Sequence, residues 1–393
     1  MVDSISKPRL YFITVCFVVM TTCVYLNSVT IGTKLYSHGR MMPNASSWHP
    51  HRPPDPNVNW TCSPKQRIVF CKTHKTGSTT TAALLERFGY HRNLSFAMGR
   101  NSHIISHTKL FHHSMAFKIP NRTRQDFDFL VNHIRFNRKE MDISVPNAKY
   151  ISLIRNPITQ LESEFGYFEM ADKLKIKTKN PFMTFMSNPQ KYYHMNSNMW
   201  WRRRNGQLYD LGLDHKYDEN LTVIKDKIQQ LSTEIDLMMM NEYYDESMIL
   251  LKKMMCWDFE DVLYIKMGVR SDSHRYPLTE GAVEKIKVWN AGDVMLYDYF
   301  NRTFWQKVRA YGSTFSRDLA HLRTMLRNAS DQCIHSDKKN LKDKRVEQFV
   351  LKPNASKYCT DLKRGDVQYT KLIRNEMIER GRLEFENKNR SLG

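Results

Sequence analysis

A chain of 393 residues with 41% hydrophobic content is long enough for one large domain with appendages, and nothing in it demands two. Its 60 Lys and Arg against 40 Asp and Glu give a net charge of +20, which excludes an acidic solvating protein and calls for an anionic ligand or surface. Nucleic acid is the poorer answer, because no nucleic-acid-binding module accompanies the charge.

Residues 1–9 form a short tail carrying Lys7 and Arg9, and the run from Leu10 to Val29 then holds no charge. A helix needs ~20 apolar residues to cross a bilayer, so residues 10–29 are expected to span one. The run outlasts the apolar part of a cleaved signal peptide and no small-residue cleavage site follows, so it is read as an uncleaved anchor. Charge leaves its orientation open, since Lys34 and Arg40 follow the span closely. The Asn-x-Ser/Thr acceptors at Asn44, Asn59, Asn93, Asn121, Asn220, Asn301, Asn328, Asn354 and Asn389 decide it, placing the body on the luminal side. Asn301, inside a helical pattern, is expected to stay unmodified. Six prolines between residues 30 and 64 mark a stem that cannot bury a core. The arrangement expected is a single-pass type II membrane protein.

Cys16 and Cys23 fall in the span, leaving Cys62, Cys71, Cys256, Cys333 and Cys359. An odd number in an oxidising lumen leaves a free thiol or an intermolecular bridge. Cys71, at the end of an apolar strand, is the candidate free thiol, and Cys333 with Cys359 the candidate bridge. No spacing suggests zinc.

The apolar segment Ile68-Val-Phe-Cys runs into Lys72-Thr-His-Lys-Thr-Gly-Ser-Thr-Thr, a strand, a basic hydroxyl-rich turn and a helix start. Unpaired N–H groups at a helix N-terminus, with Lys72 and Lys75 beside them, make an anion site. A Walker A loop needs Lys directly after its last Gly, whereas Ser78 follows Gly77. The second such unit is Lys149-Tyr-Ile-Ser-Leu-Ile-Arg-Asn-Pro, in which Pro157 suits the first helical turn and Arg155 offers a planar fork for a dianion. Ser163 follows on the same helix. Ile235-Asp-Leu-Met-Met-Met reads as a third strand, with a helical pattern through Tyr244, Met248, Leu251 and Met255. Strands alternating with helices imply an α/β fold with a central parallel sheet. The methionines read as core filling, and the charge run from Asp337 to Arg345 as a polar helix face or disordered segment.

The first turn resembles the 5′-phosphosulfate loop of sulfotransferases that use 3′-phosphoadenosine-5′-phosphosulfate (PAPS), and Arg155 with Ser163 resembles their 3′-phosphate site. Lys72-Thr-His-Lys-Thr, His133-Ile-Arg-Phe-Asn, Glu162-Ser-Glu-Phe, Leu211-Gly-Leu-Asp, Glu242-Tyr-Tyr-Asp-Glu-Ser and Trp257-Asp-Phe-Glu-Asp-Val together resemble the galactose 3-O-sulfotransferase family, from about Arg67 to about Trp305. One departure is Gly77, where many members carry Ala. The resemblance implies a P-loop-like sulfotransferase fold over residues 65–320, preceded by the transmembrane helix, with a basic extension, 321–393, of unassigned role. It implies a Golgi enzyme that moves sulfate from PAPS to the 3-hydroxyl of a terminal β-galactose on a glycolipid or glycan, with no metal required.

Within that reading His74 is the general base, held neutral by the lysines beside it. Lys75 neutralises the leaving phosphate oxygen and Lys72 the 5′-phosphosulfate. Thr73, Thr76, Gly77, Ser78 and Thr79 add backbone and hydroxyl donors to the donor site. His133 is a second candidate for base or acceptor binding. Trp200-Trp-Arg-Arg-Arg could stack on a sugar, with an ordinary surface loop as the competing reading. A sulfotransferase for another glycan, a nucleotide kinase and a catalytically silent galactoside-binding protein are the alternatives.

Overall fold

The computed structural model describes residues 62–390 apart from 123, 194, 196–199 and 341–344. The expected tail, anchor and nearly all of the stem lie outside the described residues. Among the described residues no helix is long and apolar enough to cross a membrane.

Five parallel strands form the central sheet: β1 (Ile68–Cys71), β2 (Phe96–Ala97), β3 (Phe129–Leu130), β4 (Lys149–Ile154) and β5 (Leu237–Met240), in the order β2-β3-β1-β4-β5. Every residue of β1 is buried, as is every residue of β5. Parallel strands covered on both faces read as unbroken apolar runs for this reason. Cys71 pairs with Ser152 and Ile154 with Met240, so β1, β4 and β5 end side by side. Ligands in such sheets bind beyond the carboxyl ends of the strands.

The helices around this sheet include α1 (Ser78–Tyr90), α2 (Pro157–Tyr167), α3 (Gly206–Asp210), α4 (Tyr244–Met255), α5 (Ala291–Tyr311), α6 (Phe315–Cys333) and α7 (Asp366–Arg390). Pro157 occupies the first turn of α2, and Asn156 Oδ1 caps it by accepting from Ile158 N at 3.0 Å.

The expected boundary between residues 320 and 321 falls inside α6. Beyond it the chain folds onto the body. Strand β8 (Val346–Leu351) pairs antiparallel with β7 (Ile334–Asn340) and with β6 (Val269–Arg270). The charge run is thus in part strand, because backbone pairing outweighs its polarity. Helix α7 lies along α1 with Tyr369, Ile373 and Met377 buried at i, i+4 and i+8, each contributing about 1.5–3 kcal/mol of apolar burial.

Cys333 and Cys359 are bridged, and buried Cys71 is free. A second bridge, Cys62–Cys256, was not foreseen. Cys256 caps α4 in a left-handed conformation (φ 56°), and Lys65 N donates to Met255 O at 2.8 Å. The first described residues are therefore fastened to the end of a core helix.

Candidate active site

The loop after β1 is closed by its own hydroxyls. Thr73 Oγ1 donates to Leu153 O and lies 2.8 Å from Thr76 Oγ1, while Ser78 Oγ donates to Thr73 O at 2.6 Å. These hydroxyls shape the loop, which leaves backbone N–H groups as what it offers an anion. No side chain caps α1, whose N-cap is Gly77 at φ 84°. A Cβ there would meet Asn241 Nδ2 at 2.5 Å, and that nitrogen donates to Thr76 O at 2.8 Å. Alanine at this position is therefore not a neutral exchange in this chain.

Lys75 and Arg155 are brought together. Arg155 Nη1 donates to Lys75 O at 3.3 Å and its Nε to Thr159 Oγ1 at 2.9 Å. Ser163 is buried on α2, one turn beyond Thr159 on the same face. The Lys75 ammonium sits 3.3 Å from the Tyr167 ring centroid. Burial, with Arg270 adding to it, brings the Lys75 pKa down to about 7. Lys72 is engaged elsewhere: 3% exposed, its Nζ is 2.6 Å from Asp366 Oδ2 at the start of α7. Its charge is already matched by the segment to which no role had been assigned.

His74 forms a dyad with Asp210. Its Nδ1 lies 2.9 and 2.7 Å from the two carboxylate oxygens, and its backbone N–H donates to Oδ2 at 2.8 Å. With Nδ1–H donated to the carboxylate, Nε2 carries a free lone pair. That atom is buried and has no hydrogen-bond partner among the described residues. Burial first, then Arg202, holds the imidazole well below its ordinary pKa, while burial pushes Asp210 up to about 7. The two N–H donors of His74 favour the ionised carboxylate. Asp210 ends α3, whose first-turn Gln207 and Leu208 N–H groups donate to Asp293 of α5 at 3.1 and 2.9 Å.

His133 stacks on His74 with ring centroids 4.3 Å apart at 11°, and His107 lies 5.2 Å from His74. Burial, followed by Lys72, keeps His133 well below its ordinary range. The Trp200 stretch is not a surface loop, because Trp201, Arg202 and Arg203 are all buried. Asp210, His107, Glu164 and Arg202 were missed from sequence. Asp210 had a signal, since it directly precedes the Leu211-Gly-Leu-Asp string; Glu164 lies inside the Glu162-Ser-Glu-Phe string and Arg202 inside the Trp200 stretch, while His107 is an isolated polar residue. A cleft of about 370 Å³ beside Ile235 and Phe304 lies toward the opposite ends of the strands and takes no part.

The family described as Galactose-3-O-sulfotransferase matches residues 7–374. Mouse (Mus musculus) galactosylceramide sulfotransferase is 35% identical over 277 residues, 70% of this chain and 65% of that protein. The human (Homo sapiens) galactosylceramide sulfotransferase is 35% identical over 266 residues, 67% of this chain and 62% of that protein. Mouse galactose-3-O-sulfotransferase 2 is 31% identical over 288 residues, 71% of this chain and 72% of that protein. The chain spans less than two thirds of the galactosylceramide sulfotransferases it matches.

Proposed function

This chain belongs to the galactose-3-O-sulfotransferase family, and from that membership we propose that it transfers sulfate from PAPS to the 3-hydroxyl of a terminal β-galactose. The observation that carries the reading is His74 Nε2, buried and unbonded, on a ring fixed by Asp210 beside the Lys75 loop. PAPS, when bound, supplies the sulfuryl group. The N–H groups opening α1 and the Lys75 ammonium receive the 5′ side, and Arg155 with Ser163 the 3′-phosphate. As the sugar oxygen bonds to sulfur, His74 Nε2 takes the hydroxyl proton and Asp210 stabilises the imidazolium. As the bond from sulfur to the phosphate oxygen breaks, Lys75 neutralises the charge released there. Charge neutralisation is assigned to these side chains rather than to a metal ion. The acceptor galactose belongs to a glycolipid or to a glycoprotein glycan.

The same reading makes the protein a Golgi type II enzyme with residues 10–29 as anchor. Two disulfides support a luminal body, and so does the exposure of Asn93, Asn121, Asn220, Asn328, Asn354 and Asn389. The test is incubation with labelled PAPS and a panel of β-galactosides. Label at O3, and none on a 3-deoxygalactoside, is expected; label at another position refutes the regiochemistry. Calorimetry with the desulfated donor product and with ATP separates this reading from a kinase, which would prefer ATP.

A further inference from the structure

The surroundings of His74 hold more unmet hydrogen-bonding capacity than proton transfer uses. Glu164, 1% exposed on α2, has no hydrogen bond to either carboxylate oxygen among the described residues. Arg202, 3% exposed, leaves Nε and Nη1 likewise without one. The two groups approach to 3.5 Å, Nη1 to Oε1, which is an ion pair but beyond good hydrogen-bond length. An Arg and a Glu free to satisfy each other ordinarily close into a short two-bonded fork. Here the guanidinium instead lies 4.2 Å over the Phe168 ring.

The pair belongs to the same chamber as the base. Gln160, one turn before Glu164 on α2, donates its Nε2 to His74 O at 3.1 Å. A Cβ on Gly206, which opens the helix that ends in Asp210, would lie 3.2 Å from Glu164 Oε2. Burial raises the Glu164 carboxyl to about 8 although Arg202 opposes it, so near neutral pH the group exchanges between an ion-paired and a protonated form, offering lone pairs and, when protonated, an O–H. Unmet polar groups this deep are costly and persist where a ligand or a bound water completes them. A sugar diol, each hydroxyl both donor and acceptor, has the matching chemistry.

We propose that Glu164 and Arg202 form the acceptor-sugar subsite, exchanging hydrogen bonds with the C4 hydroxyl beside the reacting C3 hydroxyl. This rests on reading the site as a galactose sulfotransferase. The axial C4 hydroxyl is the only difference between galactose and glucose, so this pair is where the sugar is chosen.

The test is the double variant Glu164→Leu/Arg202→Met in the luminal body, compared with wild type on a β-galactoside, its 4-deoxy analogue and the β-glucoside. Replacing both members of a buried ion pair by well-packed apolar side chains of similar volume is often neutral or stabilising. Wild type is expected to disfavour the 4-deoxy analogue at least about 10-fold in kcat/KM. The double variant should raise KM for the galactoside about as much and treat the two alike, with unchanged calorimetric affinity for 3′-phosphoadenosine-5′-phosphate. Glu164→Gln alone, which can still give and accept a hydrogen bond, should retain most of the discrimination. Wild type indifferent to the 4-hydroxyl overturns the proposal, whether or not the variants fold. So does a double variant with wild-type discrimination, or one that loses donor-product affinity instead. If wild type sulfates no galactoside at O3, the functional reading itself fails, a result separate from all of these.

Discussion

Replacing Asp210 by asparagine exchanges one oxygen for an amide nitrogen at the group that fixes the His74 ring. The carboxylate accepts from two donors at once, the backbone N–H at 2.8 Å and Nδ1–H at 2.7 Å. Asparagine has a single acceptor oxygen. If that oxygen takes the Oδ2 position and keeps the backbone N–H, the NH2 stands where Oδ1 was, 2.9 Å from Nδ1, and the clash of two facing N–H donors favours the tautomer with Nδ1 as acceptor and the proton on Nε2. A protonated Nε2 cannot take the proton of the attacking hydroxyl. Turnover should fall about 10³–10⁴-fold, or about 4–5.5 kcal/mol of barrier. The assay is single-turnover transfer to a β-galactoside at saturating donor, with calorimetric binding of 3′-phosphoadenosine-5′-phosphate as the folding control. That affinity should be unchanged, because the N–H groups opening α1 and Arg155 do not contact Asp210. Turnover within about threefold of wild type, with binding intact, would refute the dyad and transfer the base role to His133.

The pH profile of kcat/KM should be bell-shaped. Its acid limb lies below the ordinary histidine range because His74 must be neutral, and its basic limb lies near 7 because Lys75 must be charged and its pKa is about 7. Lys75→Arg should remove the basic limb; a profile that keeps it would assign that limb to another group. Lys75 binds more protons unfolded than folded between its folded value of about 7 and its unfolded value of about 10.4, so its contribution to stability rises with pH across that window. Arg155→Ala should weaken donor-product binding and abolish preference for the 3′-phosphorylated nucleotide, with retained preference counting against the 3′-phosphate assignment. Asp366→Ala leaves the Lys72 charge buried and unpaired, and should cost about 3–5 kcal/mol by denaturant titration. A loss under about 1 kcal/mol would mean that Lys72 finds another partner or is not buried in solution.

The two strand-turn-helix units were legible because a parallel strand covered on both faces is written as an apolar run, and Pro157 marks where the following helix begins. Strands β2 and β3 were not, since two paired residues each leave no periodicity to detect. The C-terminal segment looked like solvated charge because its burial is confined to one face of a polar helix. His74, Lys75 and Arg155 stood out by their place at strand ends. Asp210, Glu164 and Arg202 lie in or beside strings visible in the sequence, but only the contact with His74 singles out Asp210, and only burial singles out the other two. The Cys62–Cys256 bridge joins residues 194 positions apart, and spacing carries no information about such pairing.

The ion pair between Lys72 and Asp366 also sets an order of events during synthesis. The lysine joins the chain 294 residues before its carboxylate partner, so until that partner arrives Lys72 stays in water and the loop that buries it lacks the pair that stabilises it. Sheet registration can begin early, but the loop cannot settle until almost the whole polypeptide has emerged. Such long-range closure slows folding and lengthens exposure to chaperones. Catalytic competence thereby becomes a late checkpoint on chain integrity, and a frameshift close to the 3′ end of the message would disable the donor loop rather than merely shorten a tail.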